Sequence, residues 1–272
     1  MTDIVMSPAA PTVDLADATS TLERIVPKLV TLLRSTPDPD ARATGDWSVR
    51  DVATHLVFVF DHYREIVNGE GAGADDFDEG AQKAQAFIDG RHFEGLPEIA
   101  DAIEEAAQRF LARVRSIDGD PIVPYVGGIP IASSCVVATV LGEVLVHGYD
   151  IALATGAPWD IDSHGAALTL KGISAITVHF VDTDKARGFR ARFDIGLRHE
   201  THMHYVFDDG TMTIEEPSDV PVDVHISADP PTLLLMGYGR IGPVKPALTG
   251  KLVAWGRKPW LSMKMATLIR NP

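Results

Sequence analysis

The feature that most constrains the fold is an apolar run carrying an acid and an imidazole four residues apart. Glu143 and His147 lie within VVATVLGEVLVHGYDI, residues 136–151. On a helix, this spacing places both side chains on one face, with their Cβ atoms about 5–6 Å apart. A carboxylate among so many apolar residues is costly unless it is paired or bound to a cation. A divalent metal would supply that charge, and a catalytic zinc site uses three protein ligands and one open position.

His55 is the candidate for the third ligand. Ser48 followed by Asp51 resembles a capping box, which predicts a helix from there to about residue 67. His55 falls on the apolar face of that helix, so it is expected to point into the core. Two imidazoles and one carboxylate match the ligand set of hydrolytic zinc centres. The alternative is that the histidines are ordinary core residues, satisfied by Glu143 and a backbone carbonyl.

The composition excludes several classes of partner. The 272 residues carry a formal net charge of −14, which argues against binding to nucleic acid or to an anionic membrane surface. No run reaches the roughly 20 apolar residues of a membrane span, and the N-terminus has no signal-peptide pattern. Cys135 is the one cysteine, which excludes an internal disulfide and fits a reducing compartment. We therefore expect a cytoplasmic protein that binds neither nucleic acid nor membrane.

The chain is expected to form two domains of different kinds. Residues 1–13 are rich in Pro and Ala and read as a disordered tail. Residues 14–160 contain four long amphipathic patterns, which predict a four-helix bundle of the type that holds metals between facing helices. Residues 185–270 show alternating strands, a DDG turn and short helices, which predict a smaller α+β domain. The fold class is therefore α+β.

Two motifs resemble a known family. Residues 47–56, WSVRDVATHL, are similar to the N-terminal signature of the mycothiol-dependent maleylpyruvate isomerase family, which has a DinB-like bundle. Residues 142–152, GEVLVHGYDIA, are similar to its second signature. The resemblance covers about residues 14–155. More loosely, residues 185–270 are similar to the family's sterol-carrier-like domain, through the DDG turn and ALTGKLV at residues 247–253.

The resemblance implies a metal site and a reaction. His55, Glu143 and His147 fall where the family places its zinc ligands. Mycothiol would be the co-substrate, its thiolate attacking an electrophilic small molecule. The activity would be that of a thiol transferase or of a cis–trans isomerase. The alternatives are a small-molecule or lipid binding protein without catalysis, and a zinc hydrolase in which a metal-bound water attacks an ester or amide.

Several polar residues outside the proposed ligand set have two alternative roles each. Asp150 follows His147 by three residues and could orient its ring, or it could be a helix-surface carboxylate. His202 and His204 share a face of a predicted strand, where exposed histidines are more common than metal ligands. Four arginines could include one that binds a carboxylate substrate, although a solvated strand face is the favoured interpretation. They are Arg187, Arg190, Arg192 and Arg198.

Overall fold

The computed structural model describes residues 12–69 and 77–269. The chain divides into two compact units, and the boundary falls between Gly165 and Ala166. The first unit is the helical domain of residues 14–165, and the second contains the sheet. Most of the predicted tail of residues 1–13 lies outside the described residues, as does the stretch 70–76.

Four long helices form the helical domain. They are α1 (Leu15–Ser35), α2 (Val49–Asn68), α4 (Leu96–Arg115) and α5 (Ser133–Thr155), with the shorter α3 (Phe77–Gly90) against α2. Helix α2 packs on α4 and α5, and α1 packs on the same two helices. Phe60 and Phe110 meet in the fully buried core with ring centroids 6.0 Å apart. The predicted α+β class, with a helix bundle first and a smaller mixed domain after it, is confirmed.

Helix α5 packs on α1 and α2 and is largely buried in this bundle. It is long and apolar enough to cross a membrane by length and composition, and 83% of its most apolar window is buried inside the protein. Core helices of globular domains have the same pattern, since a helix that is apolar all round needs partners on every side. Its burial agrees with the role that the sequence predicts for this segment, which is to bring Glu143 and His147 into the core.

The sequence missed two short hairpins in the helical domain. Strands β1 (Arg42–Thr44) and β2 (Trp47–Ser48) pair just before α2. Strands β3 (Ile122–Pro124) and β4 (Pro130–Ala132) pair where the prolines and glycines of residues 117–130 indicate an irregular connection and where the sequence predicts a helix from about Ile131. Strands of two or three residues are too short to show a period-2 pattern, so periodicity alone does not predict them.

The second unit contains a five-stranded mixed sheet. Its strands are β5 (Arg190–Leu197), β6 (His202–Asp208), β7 (Thr211–Glu215), β8 (Val224–Ala228) and β9 (Leu252–Gly256). The spatial order is β7-β6-β5-β8-β9, with β5 and β8 parallel and the other pairs antiparallel. The helices are α6 (Ser163–Thr177), α7 (Thr183–Ala186), α8 (Pro230–Gly237), α9 (Val244–Leu248) and α10 (Leu261–Leu268). Helix α9 is absent from the sequence-based prediction.

The two faces of this sheet differ in chemistry. Phe193 and Ile195 on β5 are buried, and Phe193 packs against Phe207 with ring centroids 5.9 Å apart. On the opposite face, the strand register aligns one residue from each strand into a transverse row. The row is Glu215, His204, Asp194, His225 and Trp255.

Candidate metal centre

The three predicted ligands come together inside the helical domain. His55 lies on α2, and Glu143 and His147 lie one turn apart on α5. The Nε2 atoms of both imidazoles face the same carboxylate oxygen, Oε2 of Glu143, at 3.4 Å from His55 and 3.3 Å from His147. One ligand atom from each residue lies within 4.8 Å of the other two. Among the described residues, no other group of His, Cys, Asp or Glu meets that spacing.

The spacing of these atoms fits a metal ion better than direct hydrogen bonds. A charged N–H···O⁻ hydrogen bond is usually about 2.7–2.9 Å long, shorter than both contacts. Ligand atoms around tetrahedral zinc lie roughly 3.3–3.4 Å apart, given metal–ligand bonds of about 2.0–2.1 Å. The two measured contacts match that separation. A donor set of two nitrogens and one oxygen also suits zinc and leaves a fourth coordination position for another ligand.

Asp150 holds the second nitrogen of His147. Its Oδ2 lies 3.0 Å from Nδ1 of His147, and its side chain is 3% exposed. A ligating histidine commonly donates its other N–H to a carboxylate, which fixes the tautomer and the ring orientation. Nδ1 of His55, by contrast, is buried and has no hydrogen-bond partner among the described residues. The two imidazoles are therefore held differently, His147 by a carboxylate and His55 by packing.

Burial and the charged neighbours shift the pKa values of this cluster in opposite directions. Burial alone would raise the pKa of Glu143, but the two imidazoles that face its carboxylate, His147 and His55, outweigh it and hold that pKa well below its usual range. Burial would lower the pKa of His147, yet the carboxylates of Asp150 and Glu143 raise it to about 9. Burial lowers the pKa of His55, and its bond to Glu143 offsets this only in part. Glu143 is therefore ionised, and without a bound metal the imidazolium of His147 supplies the cation beside it.

Trp47 lies beside both imidazoles. Its ring centroid is 5.0 Å from that of His55 and 6.5 Å from that of His147. The indole Nε1 donates to Oε1 of Gln85 on α3, 3.0 Å away, which fixes the ring. The sequence supplied Trp47 as part of a signature, but it gave no indication that the indole contacts the two histidines. That contact depends on the β1–β2 hairpin, which the sequence did not reveal.

A second tryptophan explains the glycine that follows His147. The ring of Trp159 lies against Gly148, and a Cβ atom at position 148 would sit 2.2 Å from Cζ2 of that ring. Nε1 of Trp159 donates to the carbonyl of Leu145, 3.0 Å away, so the indole closes over this turn of α5. Any larger residue at position 148 would displace the ring, because a Cβ atom does not fit at that distance.

Two tyrosines form a polar cluster near Glu143 that the sequence did not predict. The hydroxyls of Tyr63 and Tyr125 are 2.9 Å apart. Burial raises the pKa of Tyr125 to about 12, and the charge of Glu143 adds to that rise, while hydrogen bonds with Tyr63 and Thr139 oppose it. Tyr125 lies in the turn between β3 and β4, within a segment whose composition indicates only an irregular loop.

The remaining candidate residues belong to the sheet domain. His202 and His225 bond through Nδ1 to Asp194 in the sheet domain, at 2.8 and 2.9 Å. Arg187 and Arg190 pair with carboxylates of the same domain. Arg192 bonds to Glu215, and Arg198 bonds to Ser227 and to the carbonyl of Gly250.

Comparison with known protein families identifies the helical domain. Residues 22–152 match the family described as the mycothiol maleylpyruvate isomerase N-terminal domain. The helical domain belongs to this family of N-terminal domains. The match includes α2 and α5, the helices that carry His55, Glu143 and His147. A comparison with curated proteins found no match.

Solved structures support the fold. Crystal structures of the mycothiol-dependent maleylpyruvate isomerase and of a histidine-to-alanine mutant of it share 12% identity with this chain. Their TM-scores are 0.52 and 0.54, and the alignments cover 89% of this chain and 92% of theirs. The sec-alkylsulfatase Pisa1 from Pseudomonas sp. is 19% identical with a TM-score of 0.35, and the match covers 50% of this chain and 24% of the sulfatase. At these identities the isomerase structures establish the fold alone.

Proposed function

We propose that this chain is a divalent-metal enzyme, with zinc as the metal, that uses mycothiol as co-substrate against a small electrophile. The observation that carries the proposal is the convergence of two Nε2 atoms on one oxygen of Glu143, at the separation of tetrahedral ligands. Family membership supports the choice of thiol. His55, Glu143 and His147 would be the metal ligands, and Asp150 would orient His147.

Each of these residues has a separate task in the proposed site. A bound divalent cation would keep a thiol deprotonated near neutral pH. Glu143 supplies the anionic ligand, and its burial makes the site selective for a cation. His55 and His147 would bind the metal through deprotonated nitrogens from two helices, so metal binding would displace the proton of His147 and requires the packing of α2 against α5. Asp150 keeps Nε2 of His147 directed at the site by holding Nδ1. Trp47 shields the imidazoles on one side.

The reaction has two forms that differ in their last step. In both, the thiolate sulfur forms a bond to an electrophilic carbon of the substrate. In an isomerase, the former double bond rotates, the C–S bond then breaks, and the thiol is released unchanged. In a transferase, either the carbon next to the attacked one takes up a proton or the attacked carbon loses a leaving group, and the C–S bond remains. We propose that a reducing compartment, the cytoplasm, houses this reaction, since a thiol co-substrate and the free Cys135 both suit it.

Metal analysis of protein purified without chelator tests the site. We expect one zinc per chain, and His147→Ala should lose it while circular dichroism stays helical. His164→Ala is the matched control, because His164 is a histidine of the same chain that pairs with Asp17 away from the ligands. Full metal content in the His147→Ala variant would show that the ligands are wrong. A wild-type protein that binds no divalent metal would refute the proposal.

Thiol dependence tests the reaction. The wild-type enzyme should convert maleylpyruvate-type or other activated alkenes only when mycothiol is added, and the mass of the product separates isomerisation from transfer. Metal-dependent ester or amide hydrolysis without thiol would instead establish the zinc hydrolase. Metal binding with neither activity would leave a binding protein.

A further inference from the structure

The charge of this protein is distributed very unevenly. Residues 1–165 carry 27 acidic and 11 basic side chains, whereas residues 166–272 carry 11 acidic and 13 basic. The imbalance is sharpest after Asp229, where the remaining 43 residues contain seven basic side chains and no acidic one. These are Arg240, Lys245, Lys251, Arg257, Lys258, Lys264 and Arg270. The net charge of −14 therefore describes the helical domain and not this segment.

The same segment exposes large apolar side chains. Outside it, the exposed large apolar residues of the described chain are Ile122, Leu153 and Val220. Within it, six such side chains are between 42% and 83% exposed. They are Val244 and Leu248 on α9, Val253 and Trp255 on β9, Trp260, and Met263 on α10. We call these six residues, together with Lys245, Lys251, Arg257, Lys258 and Lys264, the basic edge.

The topology makes this an edge of the sheet. Strand β9 is the last strand in the order β7-β6-β5-β8-β9, so one side of it has no partner strand among the described residues. Helix α9 precedes β9 and contacts it, and a turn after the strand leads from Lys258 to α10. The exposed apolar and basic side chains thus follow one another along consecutive elements.

Some of the positive charge of the basic edge is neutralised internally. Arg257 and Lys258 pair with Asp223 at 3.0 and 3.1 Å, and Lys251 lies 3.5 Å from Asp229. Lys264 lies over the ring of Phe189 at 4.6 Å, and neither it nor Lys245 has an ion pair among the described residues. The edge keeps an excess of positive charge, because two carboxylates face five cations.

We propose that the basic edge docks on an anionic lipid surface. Exposed Trp and Leu interleaved with Lys and Arg are the composition of interfacial segments, in which apolar rings enter the headgroup layer and cations bind anionic lipids. This proposal replaces the expectation, drawn from the net charge of the whole chain, that the protein binds no membrane, because the excess of acidic side chains lies in residues 1–165.

A second copy of the chain fits this edge less well. Antiparallel pairing of two β9 strands centred on Ala254 would place Lys251 of one copy opposite Arg257 of the other. Like charges placed directly opposite destabilise strand pairs, and Lys or Arg on an edge strand opposes such pairing. The exposed side chains also lie on a strand, on two short helices and in the turn between them. The cleft of this domain is lined by other residues, among them Asp194, Pro221 and His225, with Arg257 as the one shared residue.

Vesicle cosedimentation of the full chain tests the proposal. We expect binding to phosphatidylcholine vesicles containing about a third phosphatidylglycerol, little binding to pure phosphatidylcholine, and a loss of binding as salt rises. The double variant Lys245→Glu/Lys264→Glu should weaken binding by about tenfold or more. Trp260→Ser should weaken it by about fivefold. Both sets of side chains are exposed, so the fold should persist, and circular dichroism checks this.

Lys28→Glu and Leu153→Ser are the matched controls, because they make the same kinds of change at exposed positions of the helical domain. They should leave vesicle binding unchanged. The proposal is overturned if anionic vesicles do not bind the wild type, or if the controls and edge variants behave alike. Self-association in sedimentation velocity that Trp260→Ser abolishes, without vesicle binding, would assign the edge to a second copy and also overturn it. Metal content plays no part in this readout, so failure here leaves the proposed function untouched.

Discussion

The two domains each gather histidines around a carboxylate, and they do so with different geometry. In the helical domain, His55 and His147 aim Nε2 at the same oxygen of Glu143. In the sheet domain, His202 and His225 bond through Nδ1 to different oxygens of Asp194, at 2.8 and 2.9 Å. The second arrangement has the lengths of ordinary hydrogen bonds, and the first has the separation of metal ligands.

The difference shows that a possible metal site depends less on which residues are present than on whether their side chains converge on one point. A helix places residues four apart on one face, and a facing helix can bring a third side chain to the same point. Neighbouring strands are separated by about 4.8 Å, so residues in one transverse row stand side by side and not around a centre. His202 reaches Asp194 only because Gly196 has no side chain, since a Cβ there would lie 2.8 Å from its ring. The sheet cluster therefore satisfies a carboxylate without forming a metal site.

The predictions with the largest expected effects test whether the two domains unfold separately. Phe60 and Phe193 are both fully buried, one in each unit. Phe60→Ala and Phe193→Ala should each cost about 3–5 kcal/mol of unfolding free energy, because truncation leaves a cavity in a packed core. Hydrogen exchange resolved by peptide should localise the loss of protection to the unit that carries the substitution. Equal loss in both units would mean that the chain unfolds as one body.

A second prediction separates the two histidine clusters by metal affinity. Asp150→Asn should lower zinc affinity by about 10–100-fold, since the carboxylate fixes the ring of His147. Asp194→Asn makes the same chemical change beside histidines of the sheet and should leave the affinity unchanged. Competition with a chromophoric chelator measures both constants. A similar loss in the two variants would contradict the assignment of the metal to the helical domain.

The sequence predicted the site better than it predicted the surroundings of the site. His55, Glu143 and His147 could be singled out because helical periodicity fixes which side chains share a face, and because a buried carboxylate needs a partner. Trp47 and Tyr125 reach this cluster through short hairpins, where too few residues repeat for any pattern to appear.

In the sheet domain, the sequence predicted the strands but not how they pair. Alternation predicted most of its strands, but it could not predict that β5 and β8 pair in parallel or that β9 ends the sheet. Pairing partners are set by long-range contacts, and a strand's own sequence carries little information about them. The transverse row that includes Asp194 and Trp255 depends on those pairings, so it is visible only in the structure.

A third prediction concerns pH and the sheet domain. Burial would raise the pKa of Asp194, but hydrogen bonds with His225 and His202 lower it below its usual value. A lowered carboxyl pKa stabilises the fold above the ordinary value near 4, and this stabilisation is lost as pH falls through the folded-state pKa. Asp194→Asn should therefore cost about 1–2 kcal/mol at neutral pH, and much less near pH 3.

Urea unfolding of the full chain at the two pH values measures that difference. Hydrogen exchange is the probe, because it reports the unfolding of the sheet domain separately. Asp162→Asn in the helical domain is the control for a carboxylate whose pKa is also lowered, there by Arg24. Its effect should appear in the helical domain. If the difference in unfolding free energy between wild type and Asp194→Asn stays constant with pH, Asp194 acts through its shape and not through its charge.

The prediction with the smallest expected effect concerns how His55 is held in place. Ser48 and Asp51 form a reciprocal cap at the start of α2, with backbone contacts of 3.2 and 2.9 Å. Ser48→Ala should cost about 1 kcal/mol, and Asp229→Ala, which removes the cap of α8 in the sheet domain, should cost a similar amount. Because His55 lies two turns beyond this cap and packs beside Trp47, Ser48→Ala should change zinc affinity by less than about threefold. A change above about tenfold would mean that the start of α2, and not the packing around the ring, positions the ligand.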